Sequence, residues 1–271
     1  MTRAPHLITS LTNDRIKAIR ALESRKERKE TGLFVAEGAS IVMTARANGR
    51  EPRTLVFETG KLESDHVRNL VTAVLSGRAE VLEVSHAVLE KLSAKDNPQT
   101  VLGVFEQRFA PVPAPATLTP RATWLALEEI RDPGNLGTII RTVDAVGAAG
   151  IVLVGTCCDP YSRECVRATM GSIFAVPLVK MTREEFLAWR AEWPGDVAGL
   201  HLSGTEDFRA AELKEPVLLL MGSEGPGLSD SLTRSASRLL KIPMAGQLDS
   251  LNLAVATALS LYQIRGRYLK L

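Results

Sequence analysis

Residues 128–141 read Glu-Glu-Ile-Arg-Asp-Pro-Gly-Asn-Leu-Gly-Thr-Ile-Ile-Arg, and this stretch decides the fold class. The apolar run Trp124–Leu127 ends just before it, so it lies where a strand gives way to something else. Asp132-Pro133-Gly134 is a turn tripeptide, and Asn135 is of a type that caps helix N-termini. Beyond it Leu136, Ile139, Ile140, Val143 and Val146 share one face of a helical wheel, which predicts a helix over Leu136–Val146. Arg141 projects from the opposite face. A strand, a loop and an amphipathic helix make an α/β unit, whose chemistry is expected at the carboxyl end of the strand. Asn135 as a plain cap and Arg141 as an exposed helix arginine both remain open at this point.

Working outward, the same alternation recurs. Strands are predicted at Ile151–Val154, Val197–Leu202, Val217–Met221 and Leu239–Ile242, and helices at Arg163–Thr169, Arg183–Arg190 and Leu251 to about Tyr268. The expected architecture is a mostly parallel sheet with helices on both faces. Two further loops follow strands. Met221–Ser229 reads MGSEGPGLS, a glycine loop that lets a ligand approach the backbone. No Lys-Ser/Thr pair closes it, and the spacing of a dinucleotide fingerprint is absent, so neither a phosphate cradle nor a nucleotide-dependent oxidoreductase is indicated. Glu224 would repel phosphate but can hydrogen-bond sugar or base groups. The other loop, 242–254, reads IPMAGQLDSLNLA: a strand ends at Pro243, the chain turns at Gly246, and a helix is expected to begin near Ser250. Ser250 is a natural cap there, whereas Asn252, a poor helix former just inside the helix, asks for another reason.

Residues 110–121, APVPAPATLTPR, carry four prolines and read as a semi-rigid linker. They divide the chain into domains 1–109 and 122–271. The first has strands expected at Leu33–Glu37, Thr54–Glu58, Ala79–Val84 and Val101–Gln107, with helices at Ala39–Ala47, Asp65–Leu75 and His86–Leu92, a smaller layered α/β domain. The net charge of +2 on 271 residues says little about partners. Residues 1–30, however, hold eight basic against four acidic side chains, from Arg3 to Lys29. Such a cluster attracts phosphate backbones, or is the solvated face of a mixed-charge helix.

At 45% apolar and 24% charged residues the composition is that of a soluble globular protein, and 5% aromatics argues against platforms that stack single strands. No signal peptide is evident and the longest apolar run is Val217–Met221, so a cytoplasmic, non-membrane protein is expected. Cys157, Cys158 and Cys165 fit neither a disulfide framework nor a zinc spacing, and His6, His66, His86 and His201 are scattered. No metal is expected.

Taken in order, DPGNLGTIIRT, GSEGPGLS and IPMAGQLDSLNLAVATAL resemble the signature segments of the SpoU (TrmH-type) branch of the SPOUT RNA methyltransferases. The likeness covers Thr123–Leu271 and extends to Val166–Ser172, VRATMGS. Residues 13–17 and 32–38 give a looser likeness to the L30e-like substrate-binding domain that many of these enzymes carry. The resemblance implies a C-terminal trefoil knot, which strand counting alone would replace with an unknotted Rossmann-like sheet. It also implies a homodimer with the active site beside its interface, and S-adenosyl-L-methionine held against loop backbone at Gly222, Ile242 and Leu251, with Leu202 contributing. The reaction implied is methylation of a ribose 2′-hydroxyl in RNA, not DNA. The catalytic positions carried over are Asn135, Arg141, Glu224, Ser250 and Asn252. Asn135 and Asn252 would orient the ribose, Glu224 and Ser250 would hold loops or substrate groups, and Arg141 would act as base or as fixed charge. An accessory domain favours large-subunit ribosomal RNA over transfer RNA; a non-catalytic RNA-binding or assembly factor is the alternative from another class. Leu253-Ala254, where many relatives have Val-Ser, and Thr169, in place of a common Ser, are mild departures.

Overall fold

A computed structural model describes residues 5–93 and 99–270, apart from the side chain of His6. The chain divides into two compact units: the described residues up to Gln107 together with Tyr161–Ala175, and Arg108–Pro160 together with Val176 onward.

The first unit opens with β1 (His6–Ile8), α1 (Asp14–Ala21) and α2 (Arg25–Thr31). It continues through β2 (Leu33–Glu37), α3 (Ala39–Ala47), β3 (Thr54–Glu58), α4 (Asp65–Leu75), β4 (Glu80–Val84), α5 (His86–Leu92) and β5 (Val101–Glu106). The sheet order is β1-β4-β3-β5-β2, with β1 and β3 parallel to β4, and β5 antiparallel to β3 and β2. Ile16, Val35, Val56, Leu82, Leu89 and Leu102 fill one core. The basic N-terminal stretch forms α1 and α2, and much of its charge is spent locally. Arg15 pairs with Glu80 at 2.7 Å and Lys17 with Asp14 at 3.2 Å. Arg28 is buried and donates through Nη1 to the carbonyls of Leu22 and Glu23. Arg3 lies outside the described residues. Tyr161–Ala175 completes this unit: the Tyr161 and Phe174 rings lie 4.7 and 5.8 Å from that of Phe34, and Arg163 Nη1 donates to Glu37 at 2.7 Å.

In the second half of the sequence the elements are β6 (Thr123–Glu128), α6 (Pro133–Ala145), β7 (Gly150–Val154), α7 (Arg163–Ala168), β8 (Leu178–Met181) and α8 (Arg183–Ala191). Then come β9 (Val197–Leu200), β10 (Glu206–Asp207), β11 (Val217–Met221), α9 (Asp230–Ser235), β12 (Arg238–Lys241) and α10 (Leu253–Arg265). All but α7 lie in the second unit. Its seven strands run in the order β10-β12-β9-β11-β6-β7-β8, every pair parallel. Parallel strands covered on both faces need continuous apolar runs, and β7 and β11 are buried at every position. Trp124, Val152, Phe186, Trp189 and Leu218 belong to a core cluster of this unit. Residues 108–121 pack against it: Ala110 N donates to Leu178 O and Trp189 Nε1 to Pro113 O, both at 2.7 Å.

Two helix starts differ from expectation. α6 begins at Pro133 rather than Leu136, because the Asp132 carboxylate caps it, accepting from Asn135 N at 2.6 Å, with proline at the first helical position. α10 begins at Leu253 and its cap is Asn252, not Ser250. The unforeseen β1, β8, β10 and α9 are short, while α1 and α2 fall in residues 1–30, for which a mixed-charge helix is one of two readings.

Candidate active site

Because the sheet is parallel, the loops after β9, β11 and β12 emerge at one edge, and they enclose a cavity of about 510 Å³. Leu200, Leu202, Met221, Ile242, Met244, Leu251, Leu253 and Ala256 give it apolar walls. Backbone of Gly222–Gly227 and of the segment before α10 supplies polar edges, while Glu224 and Asp249 bring carboxylates and Lys241 a cation. The glycine loop folds back on itself: Ser223 and Gly227 exchange backbone hydrogen bonds of 3.1 and 3.0 Å. A Cβ on Gly222 would fall 1.9 Å from the Gly227 carbonyl carbon, so only glycine permits this turn.

Three of the carried-over side chains meet in one relay. Asn252 caps α10 with its Oδ1, accepting from Ala254 N at 2.9 Å and Val255 N at 3.3 Å, and its Nδ2 donates to Asn135 Oδ1 at 3.0 Å. Asn135 in turn donates through Nδ2 to Glu224 Oε1 at 3.0 Å, and Glu224 Oε2 accepts from Arg131 N at 3.2 Å. The three loops are thus joined side chain to side chain. Burial pushes the Glu224 carboxyl up, but hydrogen bonds from Asn135 and from the backbone of Glu224, Arg131 and Asp132 outweigh it and hold the group below its ordinary value.

Gly222, Ile242, Leu251 and Leu202 all line the cavity, as do Glu224, Ser250 and Asn252. Ser250 is exposed and donates to its neighbour Asp249 at 3.1 Å. Asn135 stands behind the cavity, reaching it through Glu224 and Asn252. Arg141 is not among the lining residues. It lies six positions along α6 from Asn135, about 9 Å down the axis, exposed and without a hydrogen-bond or ion-pair partner among the described residues. Asp249, His201 and Met244 also line the cavity and were missed, since an isolated polar or sulfur side chain in a loop carries no periodic signal. Cys158 lies near Glu224 and Asp132; burial first, then those charges and Cys157, push its thiol up to about 12. Among the described residues no cluster of His, Cys, Asp or Glu could hold a metal ion, and no helix is long and apolar enough to cross a membrane.

These residues fit S-adenosyl-L-methionine. The aliphatic walls suit a purine, the backbone edges suit base and ribose hydroxyls, and the carboxylate of Asp249 suits a positively charged group of the cofactor.

Comparison with known proteins bears on nearly the whole chain. The model of the SpoU rRNA methylase family matches residues 122–262, and that of the MRM3-like substrate-binding domain matches residues 13–103. The chain therefore belongs to the SpoU rRNA methylase family. An AdoMet-bound rRNA methyltransferase from Sinorhizobium meliloti superposes with a TM-score of 0.88 at 44% identity, covering 97% of this chain and 98% of that one. The 23S rRNA (uridine(2479)-2′-O)-methyltransferase of Streptomyces viridochromogenes is 31% identical over 97% of this chain and 92% of its own length. The 23S rRNA (guanosine(2553)-2′-O)-methyltransferase RlmP of Bacillus subtilis is 29% identical over 96% and 99%.

Proposed function

We propose that this chain transfers the methyl group of S-adenosyl-L-methionine to a ribose 2′-hydroxyl of large-subunit ribosomal RNA. The observation that carries the reading is the Asn252–Asn135–Glu224 relay at the edge of a cavity whose walls suit that cofactor. Two relatives matched over nearly their whole length bear names that specify 2′-O-methylation of 23S rRNA. In this reading residues 1–109 recognise RNA, 110–121 join the two parts, and 122–271 carry the reaction, with the knot implied by the resemblance formed by the loops that wall the cavity. When bound, the cofactor supplies a methyl group on a positively charged sulfur. Asn135 and Asn252 orient the ribose, Glu224 and Ser250 hold the surrounding loop and sugar hydroxyls, and positioning supplies much of the rate. Arg141 stabilises negative charge on the 2′-oxygen as its proton leaves, the role a guanidinium fills best. The protein works in the cytoplasm as a homodimer. Val255, Leu259 and Tyr262 stand exposed at helical spacing along α10, and a partner copy would cover them.

Mapping 2′-O-methylation across ribosomal and transfer RNA, with and without the gene, tests the substrate. Loss of one large-subunit site is expected. Loss of a transfer-RNA site instead would move the substrate, and an unchanged map with no calorimetric binding of S-adenosyl-L-methionine would leave the non-catalytic reading.

A further inference from the structure

We infer that Glu128 is a positioning residue for the glycine loop, one half of a reciprocal carboxylate clasp between the loops after β6 and β11. The two strands are neighbours in parallel register, Leu127 beside Met221, so their loops leave the sheet side by side. Each loop receives a carboxylate from the other. Glu224, from the glycine loop, takes Arg131 N and the Asn135 amide of the first loop. Glu128, the last residue of β6, takes the far end of the glycine loop: Oε2 accepts from Ser229 N at 2.8 Å and Oε1 from Ser229 Oγ at 2.7 Å.

Glu128 is 2% exposed, and a carboxylate so deeply placed needs its lone pairs filled. Arg183 Nε completes the set at 3.0 Å, with Arg183 Nη2 donating to Glu129 Oε1 at 2.9 Å. Ser229 also caps α9, so the clasp ties the glycine loop to a helix start as well as to the sheet. Between the two clasps the loop runs through Gly225 and Gly227 at φ 93 and 74°, braced by the Ser223–Gly227 bridge and by the buried Leu228 side chain. Its shape depends on its anchors. Glu128 touches neither the cavity nor Asn135; it acts through Ser229 on the loop that carries Gly222 and Glu224.

The inference rests on reading the cavity as the S-adenosyl-L-methionine site, and its test separates the two. Amide hydrogen exchange of residues 222–229 in ligand-free protein reads the clasp directly. Calorimetric Kd for S-adenosyl-L-methionine reads its consequence. Glu128→Gln keeps the side-chain shape but turns an acceptor into a donor facing donors. Exchange in 222–229 is expected to rise about tenfold and Kd to weaken about tenfold, the loss of one hydrogen bond to a charged group. Ser229→Ala should reproduce both effects, Ser229→Thr should restore them, and Glu128→Gln with Ser229→Ala should add little to either alone. Ser229→Ala carries the test if Glu128→Gln does not fold. Unchanged exchange in 222–229 in a folded variant, or a rise shared equally by β6 and β11, overturns the clasp. A wild-type protein that binds no S-adenosyl-L-methionine while its variants exchange faster overturns only the reading of the cavity.

Discussion

Asn135 donates through Nδ2 to Glu224 and accepts at Oδ1 from Asn252, so its amide is fixed from both ends. A residue read from sequence as a cap thereby becomes the centre of a network, and Asp132 takes over the capping. Glu224 pays into the same network as an ionised group. Its lowered carboxyl contributes stability that is complete above the unfolded glutamate value of about 4.3 and is lost as pH falls through the folded value. The difference in melting temperature between wild type and Glu224→Gln is therefore expected to shrink on acidification below that point. A difference constant with pH would show that Glu224 is not held ionised. Arg141 is exposed and its side chain makes no hydrogen bond or ion pair among the described residues, so Arg141→Ala should fold normally yet lose methyl transfer on the order of a hundredfold. Arg141→Lys should retain part of it if charge alone matters. Near-normal transfer by the alanine variant removes Arg141 from the reaction.

At the scale of elements, Asn252 serves two purposes that substitution can separate. Asn252→Asp keeps the oxygen that caps α10 but cannot donate to Asn135. It should keep the cap's share of thermal stability and lose that of the hydrogen bond to Asn135, while methyl transfer falls. Asn252→Ala loses the cap too, and should cost about 0.5–2 kcal/mol of stability in thermal unfolding. Equal stability of the alanine and wild-type proteins would mean that the cap contributes nothing. Several elements were legible to the residue: β2, β3, β11, α3, α4 and α5 begin and end where their apolar runs do. The starts of α6 and α10 were not. In Asp132-Pro133-Gly134-Asn135 and again in 249–252 several capping residues stand together, and which one caps depends on where the preceding strand delivers the chain.

At the scale of the molecule, the exposed apolar stripe of α10 departs from a self-contained fold. Val255 is 49% and Leu259 42% exposed on a helix whose other side packs on α6. Val255→Asp with Leu259→Asp is expected to convert the proposed dimer to monomer in sedimentation, leaving the far-ultraviolet spectrum unchanged. A wild-type protein that sediments as a monomer refutes the dimer outright. The first unit is also discontinuous: Tyr161, Arg163 and Phe174, from between β7 and β8, complete the packing around Phe34 and Glu37. Linear reading could not foresee this, because the proline-rich segment 110–121 marks a change of composition and not the path of the chain.

Apolar runs and glycine turns were enough, by themselves, to indicate a parallel α/β architecture, and three ordered segments carried the resemblance to the family. Those features are local: a strand needs its own buried faces, and a tight turn needs its own glycine. What only the tertiary structure decided is which side chains answer one another. Glu128 lies 101 positions from Ser229 and Asn135 lies 117 from Asn252, and their hydrogen bonds exist because parallel neighbours bring distant loops to one edge of the sheet.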